Sequence, residues 1–170
     1  AVLVPAKKLE SMGWRVPYLD PDKQGFVSVA DLQGALNDET VMVSVQMANS
    51  EVGSIQPIAE LAGAAHAKGA LFHTDATQAL GKTSVDVRAL GIDAASFSAH
   101  KICGPKGVGA LYLKARTPMS EFLGGGGQDA HAQRLRQQQH VAGLSAAVGQ
   151  DPFGVDKACL LYTSQSTRDS

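Results

Sequence analysis

The chain has 170 residues, 44% of them hydrophobic, which suffices for one domain with a buried core and excludes a wholly disordered chain. Its 15 Lys and Arg residues against 16 Asp and Glu residues give a net charge of −1, so neither nucleic acid nor a membrane surface is predicted as a partner. No apolar run approaches the roughly 20 residues that span a bilayer, and no secretory signal is recognised, so a cytoplasmic location is predicted.

The first part of the chain predicts two short helices with a strand between them. Residues 1–13 are typical of the end of a helix that Gly13 stops, and residues 14–19 alternate apolar and polar side chains as a strand does. A turn is predicted at residues 20–25, and Ser28 is placed to cap a second helix that reaches Leu36.

Four apolar segments predict the strands of one sheet. Residues 41–45 and 70–74 are separated by a helix that begins at Pro57 and ends at Gly69, and residues 94–98 and 109–113 supply two further strands. The stretch between Asp75 and Lys101 accommodates one helix and one strand. The predicted fold class is therefore α/β, a mainly parallel sheet flanked by helices, in which ligands bind at the carboxyl ends of the strands.

Polar side chains cluster where three of these strands end. The three groups are Asn49, Ser50 and Glu51 after the first strand, His73, Asp75 and Gln78 at the second, and Ser98, His100 and Lys101 at the third. Because these strand ends lie at the same edge of a parallel sheet, the sequence predicts a site that contains an acid, imidazoles, hydroxyls and an amine.

Lys101 is the candidate nucleophile of this site. An amine in a tight turn beside a strand end forms a Schiff base with an aldehyde cofactor when its surroundings favour the neutral form. The alternative is an ordinary surface lysine in a glycine-rich loop, since a His-Lys pair alone is not specific.

Asp75 is the candidate partner of a cofactor cation. A carboxylate at the end of an apolar strand is costly to bury unless it meets a positive charge, and a pyridinium nitrogen is such a charge. The alternative is a helix N-cap, for which Asp is equally suited.

Three further polar side chains have a functional interpretation, and His73 among them also has a structural one. His73 shares a strand face with Asp75, where its ring can stack on a flat cofactor or serve as a packed, hydrogen-bonded histidine. Ser98 and His100 can donate hydrogen bonds to a phosphate.

Other kinds of site are not predicted. Residues 104–109 lack the Gly-Lys-Ser/Thr ending of a nucleotide-binding loop, and no His, Cys and Asp cluster has the spacing of a metal site. Cys103 is predicted to be a small buried hydrophobic residue and not a nucleophile.

Residues 43–57, 72–82 and 96–112 resemble the motifs of the cysteine desulfurases, which are pyridoxal-phosphate enzymes related to the class-V aminotransferases. The resemblance extends over roughly residues 1–128 and its motifs are long and in order. It implies the large domain of a fold-type-I enzyme with pyridoxal 5′-phosphate as the cofactor.

The resemblance also implies a role for each matching residue. Lys101 would be the Schiff-base lysine, Asp75 the partner of the pyridinium nitrogen, and Gln78 the donor to the phenolic oxygen of the ring. Ser98 and His100 would bind the phosphate and Ala76 would lie beneath the ring. Asn49 and Ser50 would also contact the cofactor, and His73 would join Lys101 as a catalytic residue.

The chain departs from the family pattern at two places. The family has two asparagines before its glutamate, whereas this chain has Asn49 and Ser50. The family also has an Arg-Ser-Gly-Thr turn whose threonine reaches the phosphate of a partner subunit, whereas Arg136 is followed here by three Gln residues and His140. These departures weaken the expected contacts of Ser50 and of the partner subunit.

The resemblance divides the chain into two parts. Residues 1–150 are predicted to be part of the cofactor-binding large domain, and residues 151–170 an irregular tail of non-native origin. An N-terminal segment and a C-terminal small domain are expected to be absent, together with the persulfide-forming cysteine, for which Cys159 is not the match.

The activity implied by the resemblance is removal of sulfur from L-cysteine. The products are L-alanine and an enzyme persulfide, whose sulfur passes to an acceptor protein for iron–sulfur clusters or thiolation. The full-length parent is expected to be a homodimer, and the 170-residue piece alone is expected to be inactive. The alternatives are a selenocysteine lyase, a kynureninase-like or aminotransferase-like enzyme, and a non-catalytic fragment.

Overall fold

The structure, a computed structural model, describes residues 2–118, 142–143 and 160–161. Three helices are present in these ranges: α1 (Leu3–Ser11), α2 (Val29–Ala35) and α3 (Ile58–Ala67). The strands are β1 (Met42–Gln46), β2 (Leu71–Asp75), β3 (Ala94–Ser98), β4 (Gly109–Leu113), β5 (Ala142–Gly143) and β6 (Leu160–Leu161), with a 3₁₀ helix at Ala99–Ile102. None of the helices in the described ranges has the length and apolar content needed to cross a membrane.

All six strands form one mixed sheet in the order β5-β4-β3-β2-β1-β6. The pairs β6-β1, β1-β2 and β2-β3 are parallel, as the α/β prediction requires. β4 is antiparallel to β3 because only residues 99–108 join them, which is too short for the crossover that a parallel pair needs.

The main core lies between one face of the sheet and the helices α2 and α3. Val43, Val45 and Phe72 point to this face and are fully buried, as are Leu61 of α3 and Leu32 of α2. The opposite face is partly covered by α1, because Met42 packs on a small cluster of α1 residues and Val16. The two faces of the central strands therefore differ in composition and in burial.

The predicted helix boundaries of α2 and α3 are confirmed. Ser28 Oγ accepts a hydrogen bond of 3.2 Å from the Asp31 N–H, which caps the start of α2. Pro57 is the residue before α3, and Gly69 follows its end with φ of +75°.

The strand predicted at residues 14–19 is wrong. In this segment only Tyr18 makes a β-bridge, and its other residues lie outside any strand. Pro17 has no N–H for a strand ladder, while Val16 packs on Ala6 and the Tyr18 hydroxyl donates to Glu10 of α1. Side-chain contacts with α1, and not strand pairing, fix the position of this segment.

The helix predicted between Asp75 and β3 is also wrong. Residues 77–91 form successive turns, which glycines with positive φ interrupt at Gly81 and Gly91. Asp86 closes one of these turns by accepting the backbone N–H groups of Arg88 and Ala89 through its side chain.

Leu160–Leu161 pairs with β1 although it lies within the predicted irregular tail. The other residues of 151–170 lie outside the described residues, as do Arg136, His140 and Cys159. The division of the chain into residues 1–150 and a tail therefore stays a prediction.

Asp93 joins three elements at the edge of the sheet where β2 and β3 begin. Its side chain is buried, and it accepts hydrogen bonds from His66 Nε2 at 2.6 Å, the Phe72 N–H at 2.9 Å and Lys114 Nζ at 3.1 Å. Burial by itself raises the pKa of Asp93, but these hydrogen bonds together lower it below the ordinary value for an aspartate. The carboxylate is therefore charged and fixes α3, β2 and β4 relative to each other.

We expect Asp93→Asn to destabilise the fold. The uncharged amide loses its charge-assisted bonds with His66 and Lys114, so the free energy of unfolding falls by about 2–3 kcal/mol in a urea titration. Asp86→Asn is the matched control, because an amide oxygen still accepts the two backbone N–H groups of that exposed turn. Equal losses for the two variants would contradict the role assigned to Asp93.

Candidate functional site

The face of the sheet opposite the main core is polar across three strands. Ser44 pairs with His73 in the β1-β2 register, and Asp75 is the partner of Gln46 on one side and of Ser96 on the other. Partners in register point to the same face, and alternate residues of one strand do so as well. The expectation that His73 and Asp75 share a face is confirmed, and serines from both neighbouring strands join them.

The carboxyl ends of these three strands lie side by side. The Met47 N–H donates to the Asp75 carbonyl at 2.9 Å, and the Ala76 N–H donates to the Ser96 carbonyl at 3.0 Å. The residues that leave each strand therefore start from adjacent positions, as the parallel sheet predicts.

Asp75 is half-buried at this edge and is only partly satisfied. Its Oδ1 accepts the Thr77 N–H at 3.0 Å, which is a turn-capping bond. Within the described residues Oδ2 has no hydrogen-bond partner. The carboxylate thus caps a turn with one oxygen and offers the other to a donor outside the described chain.

His73 bridges the strands on either side of its own. Its Nδ1 lies 2.7 Å from Ser44 Oγ of β1, and its Nε2 lies 2.8 Å from Ser96 Oγ of β3. Burial lowers the pKa of His73 below its ordinary value, and the negative charge of Asp75 offsets only part of this decrease. The ring is therefore neutral near pH 7 and hydrogen-bonded at both nitrogens.

Lys101 lies on the 3₁₀ helix that follows β3, and it is exposed. Within the described chain its amine has no hydrogen bond or ion pair. The amino group is therefore not held by another side chain of the described residues and is accessible to a ligand at this edge.

The backbone turn after Lys101 is tightly closed. The Gly104 N–H donates to the Ala99 carbonyl at 2.9 Å, and a Cβ on residue 104 would lie 2.7 Å from the Ala99 Cβ. Cys103 adopts a left-handed conformation with φ of 63° and is exposed, so the prediction that it is buried is wrong. The turn directs its side chain outward instead of into the core.

Ser98 and His100 contact each other directly. Ser98 Oγ lies 2.7 Å from His100 Nδ1, beside Lys101. A hydroxyl and an imidazole joined in this way present one combined set of donors to an anion. Their predicted role as phosphate ligands stays a prediction.

Gln78 is oriented by a lysine that the sequence reasoning did not include in the site. Lys82 Nζ donates to Gln78 Oε1 at 2.7 Å, so the amide nitrogen Nε2 is left as a free donor. The spacing of four residues was the available signal, because residues four apart meet on one side of a helical turn.

Asn49 serves the loop that follows β1. Its Oδ1 accepts the N–H of Glu51 at 2.8 Å, and Ser50 is exposed beside it. Ser54 in the same loop is 5% exposed, and its hydroxyl has no partner in the described chain. Asn49 Nδ2 and Ser50 remain available to a ligand, while Asn49 Oδ1 is committed to the turn.

The sequence reasoning also missed Ser44 and Ser96, the two partners of His73. Their signal was a small polar residue at an alternate position of an otherwise apolar strand. Ser44 is 1% exposed, so its hydroxyl depends on His73 for its hydrogen bond. Among the described residues no three His, Cys, Asp or Glu side chains are grouped so that they could hold a metal ion.

Comparison with known proteins agrees with this arrangement. The sequence pattern of the aminotransferase class-V family matches residues 1–146. The chain belongs to the class-V aminotransferase family. Enzymes of this family and the related cysteine desulfurases depend on pyridoxal phosphate, so the predicted fold class and cofactor are confirmed at the level of the family.

Relatives within this class-V family carry the name cysteine desulfurase. Cysteine desulfurase IscS of Clostridium botulinum is 49% identical over 129 residues, which is 76% of this chain and 32% of the relative. IscS of Dictyoglomus turgidum is 43% identical over 144 residues, or 85% of this chain and 36% of the relative. The chain thus spans about a third of the length of the curated relatives that it matches.

A solved structure described as SspA in complex with cysteine resembles this chain in three dimensions. The TM-score is 0.70 with 38% sequence identity, and the match covers 75% of this chain and 38% of that one. The fold of the class-V family is therefore present in the described residues.

The side chains at the carboxyl edge fit the pyridoxal phosphate of the class-V family. Asp75 offers an open carboxylate oxygen for a ring N–H, and Lys101 offers an amine for the aldehyde. Gln78 offers an amide N–H, and the pair Ser98 and His100 lies beside the lysine for the phosphate. The donors and acceptors match the chemical groups of the cofactor.

We expect His73 to make the stability of the chain depend on pH. Because its pKa is lowered in the folded chain, the unfolded chain binds a proton below about pH 6.5 that the folded chain does not. The free energy of unfolding therefore falls below about pH 6.5, by at most about 1.4 kcal/mol per pH unit, and above it His73 contributes no dependence.

Urea titrations at about pH 8 and about pH 5.5 test this expectation. His73→Gln removes this part of the pH dependence, and His100→Gln, at an exposed position, retains it. The same slope in the wild type and in His73→Gln would show that His73 is not held neutral by the fold.

Proposed function

We propose that this chain supplies the cofactor-binding edge of a cysteine desulfurase. The substrate is L-cysteine, the product is L-alanine, and the sulfur passes to an acceptor protein. The observation that carries the proposal is that Asp75 and Lys101 lie at the carboxyl ends of two paired strands. Asp75 ends β2 with an open carboxylate oxygen, and Lys101 lies with an unpaired amine on the 3₁₀ helix after β3. Relatives named cysteine desulfurase, at 43–49% identity, support this substrate over the other activities of the family.

Lys101 performs two tasks in this proposal. Its amine holds the cofactor covalently before the substrate arrives, and afterwards it moves the proton from the substrate Cα. Bound pyridoxal phosphate supplies an electron sink for the electrons that this proton leaves behind. The tight turn between Ala99 and Gly104 fixes the backbone from which the amine reaches the substrate.

Asp75 keeps the ring nitrogen protonated by accepting its N–H at Oδ2. Because Oδ1 is held by the Thr77 N–H, the carboxylate has one fixed oxygen and cannot rotate without losing that bond. Gln78 donates from Nε2 to the phenolic oxygen, and buried Ala76 leaves room beneath the ring. Asp75, Gln78 and Ala76 together orient a flat ring over this edge.

The phosphate is assigned to Ser98 and His100 at the end of β3. Asn49 and Ser50 are assigned to the cofactor from the loop after β1, two strands away in the sheet. Ser50 has a shorter side chain than the second asparagine of the family, so its contact with the cofactor is the weakest of the set. The homodimer, the cytoplasmic location, the sulfur acceptor protein and the supply of iron–sulfur clusters or thiolation remain predictions supported by the resemblance. The catalytic role of His73 also remains a prediction.

We expect borohydride reduction of the chain with pyridoxal phosphate to place the pyridoxyl group on Lys101. Peptide mapping by mass spectrometry identifies the labelled residue, and Lys101→Ala removes the label. Lys82→Ala is the matched control, because this second lysine at the edge is paired with Gln78 and should not carry the cofactor. A label on Lys82 or Lys106 would contradict the assignment.

A chimera tests the activity. In the Clostridium botulinum relative, the matched segment of 129 residues is replaced by the corresponding segment of this chain. The relative supplies the remaining length of the enzyme. We expect alanine release from L-cysteine, and sulfide release when an added dithiol reduces the enzyme persulfide and is itself oxidised to a disulfide. Asp75→Asn should lower the rate of alanine release by about a hundredfold or more, because an amide does not hold the ring nitrogen protonated.

Two controls separate the possible outcomes of the chimera. Asp75→Asn should still show the pyridoxyl label at Lys101, and Asp86→Asn in the exposed turn should leave the rate unchanged. A labelled but inactive chimera would refute the desulfurase proposal and retain the cofactor site. Near-wild-type turnover with Asp75→Asn would show that Asp75 only caps its turn.

A further inference from the structure

The side-chain amide of Gln78 is held at one end only. Its Oε1 accepts a hydrogen bond of 2.7 Å from Lys82 Nζ, and its Nε2 has no partner among the described residues. A lysine ammonium carries donors and no acceptor, so it binds the oxygen of an amide and not the nitrogen. Lys82 therefore determines which end of the Gln78 side chain stays open, and the open end is a donor.

The backbone of this turn keeps the two side chains together. Two hydrogen bonds between residues four apart, of 3.0 Å and 2.9 Å, run through residues 76–83. Residues four apart lie on one side of such turns, so Gln78 and Lys82 are neighbours. Ala76 and Ala79 are fully buried and fix the turns on the core.

The same turn packs against the segment that carries Lys101. Gly81 lies so close to Ile102 that a Cβ on residue 81 would lie 3.1 Å from the Ile102 Cγ2. Because Gly81 directly precedes Lys82, this contact joins the pair of Gln78 and Lys82 to the 3₁₀ helix after β3. The amide and the lysine that the proposed function assigns to the cofactor thus belong to two segments in contact.

We propose that Lys82 is a positioning residue that makes Gln78 a donor to the phenolic oxygen of pyridoxal phosphate. The inference rests on the proposed function for the cofactor and for its contact with Gln78, and it adds what fixes the direction of that contact. An ionised phenolic oxygen is an acceptor only, so an amide that presented Oε1 to it would be repelled. Lys82 acts through Gln78 and does not itself touch the cofactor.

A second glutamine shows what distinguishes this amide. Gln56 is buried, its Oε1 accepts the Val27 N–H at 2.9 Å, and its Nε2 donates to the Gly25 carbonyl at 2.5 Å. Both ends of that amide are used within the protein, so its orientation is fixed twice. The orientation of Gln78 depends on one bond, because a half-turn of the amide exchanges an oxygen and a nitrogen of nearly equal size.

The first experiment is nuclear magnetic resonance of the full chain without cofactor. The side-chain carbonyl ¹³C resonance of Gln78 should move in Lys82→Met, which removes the donor and retains the length of the side chain. It should move much less in Lys82→Arg, which restores a cationic donor. An unmoved Gln78 resonance in Lys82→Met would overturn the proposal.

Lys68→Met is the matched control for a loss of charge alone. Lys68 is exposed like Lys82, and its ammonium binds Asp38 at 3.1 Å just after the end of α3. The Gln78 resonance should stay in place in this variant, and the side-chain carbonyl of Gln56 should stay in place in all variants. A Gln78 shift in Lys68→Met as large as that in Lys82→Met would reduce the effect to net charge and overturn the proposal.

The second experiment measures binding of pyridoxal phosphate and of its analogue with hydrogen in place of the phenolic hydroxyl. Because Lys82 is exposed to competing water, Lys82→Met should weaken pyridoxal phosphate binding only about threefold, and Gln78→Leu about tenfold. Their double variant should bind as Gln78→Leu does, because Lys82 acts through the amide. All variants should bind the analogue equally, since it has no phenolic oxygen for Gln78.

Lys82→Glu tests the direction of the amide, because it should reverse it. A carboxylate accepts from Nε2, which leaves Oε1 as the open end of Gln78. Pyridoxal phosphate binding should then fall below that of Gln78→Leu, and adding Gln78→Leu to Lys82→Glu should restore part of it. A double variant that binds no better than Lys82→Glu would assign the loss to the introduced charge and overturn the proposal.

The binding experiment separates two failures. A wild-type chain that binds neither compound would refute the proposed cofactor site, and the role of Lys82 with it. A wild-type chain that binds pyridoxal phosphate, with Lys82→Met weakening both compounds equally, would refute the role of Lys82 and leave the proposed function standing.

Discussion

The parallel pairing of β1, β2 and β3 in one register is the constraint on which the site depends. Because side chains alternate along a strand, this register places Phe72 and Thr74 against the helices and His73 and Asp75 on the opposite face. A slip of β2 by one residue would exchange the two faces, burying two ionisable groups and exposing Phe72. The burial of the apolar face therefore selects the same register that assembles the polar site.

Two aspartates at opposite edges of the sheet have different roles. Asp93 is buried and both of its carboxylate oxygens accept hydrogen bonds, from His66 of α3, from the Phe72 N–H of β2 and from Lys114. Asp75 is half-buried with a single backbone donor, and its second oxygen stays open. A carboxylate with both oxygens bonded within the protein is structural, and an open oxygen at a strand end makes a carboxylate available to a ligand.

The parts of the fold that could be predicted from the sequence are those with local signals. Apolar runs identified the strands β1 to β4, Ser28 and Gly69 identified helix ends, and polar residues at strand ends located the edge. The strand predicted at residues 14–19 and the helix predicted between Asp75 and β3 are wrong. Contacts with α1 override the local pattern in the first segment, and positive-φ glycines override it in the second.

The contacts within the site could be predicted only in part. His73 and Asp75 share a face because side chains alternate along a strand, and this alternation is a local property of the sequence. The partnership of Ser44 with His73 depends on how two distant strands align, and nothing in the sequence of either strand states that alignment. The exposure of Cys103 likewise depends on a turn whose closure joins residues 99 and 104.

That closure limits how this segment of the protein can change during evolution. A Cβ added at Gly104 would lie 2.7 Å from the Ala99 Cβ, so any side chain at position 104 would require the turn to open. The antiparallel return to β4 begins at once, since the Ala99 N–H donates to the Val108 carbonyl. A residue without a side chain is therefore expected to persist at position 104, three residues after Lys101.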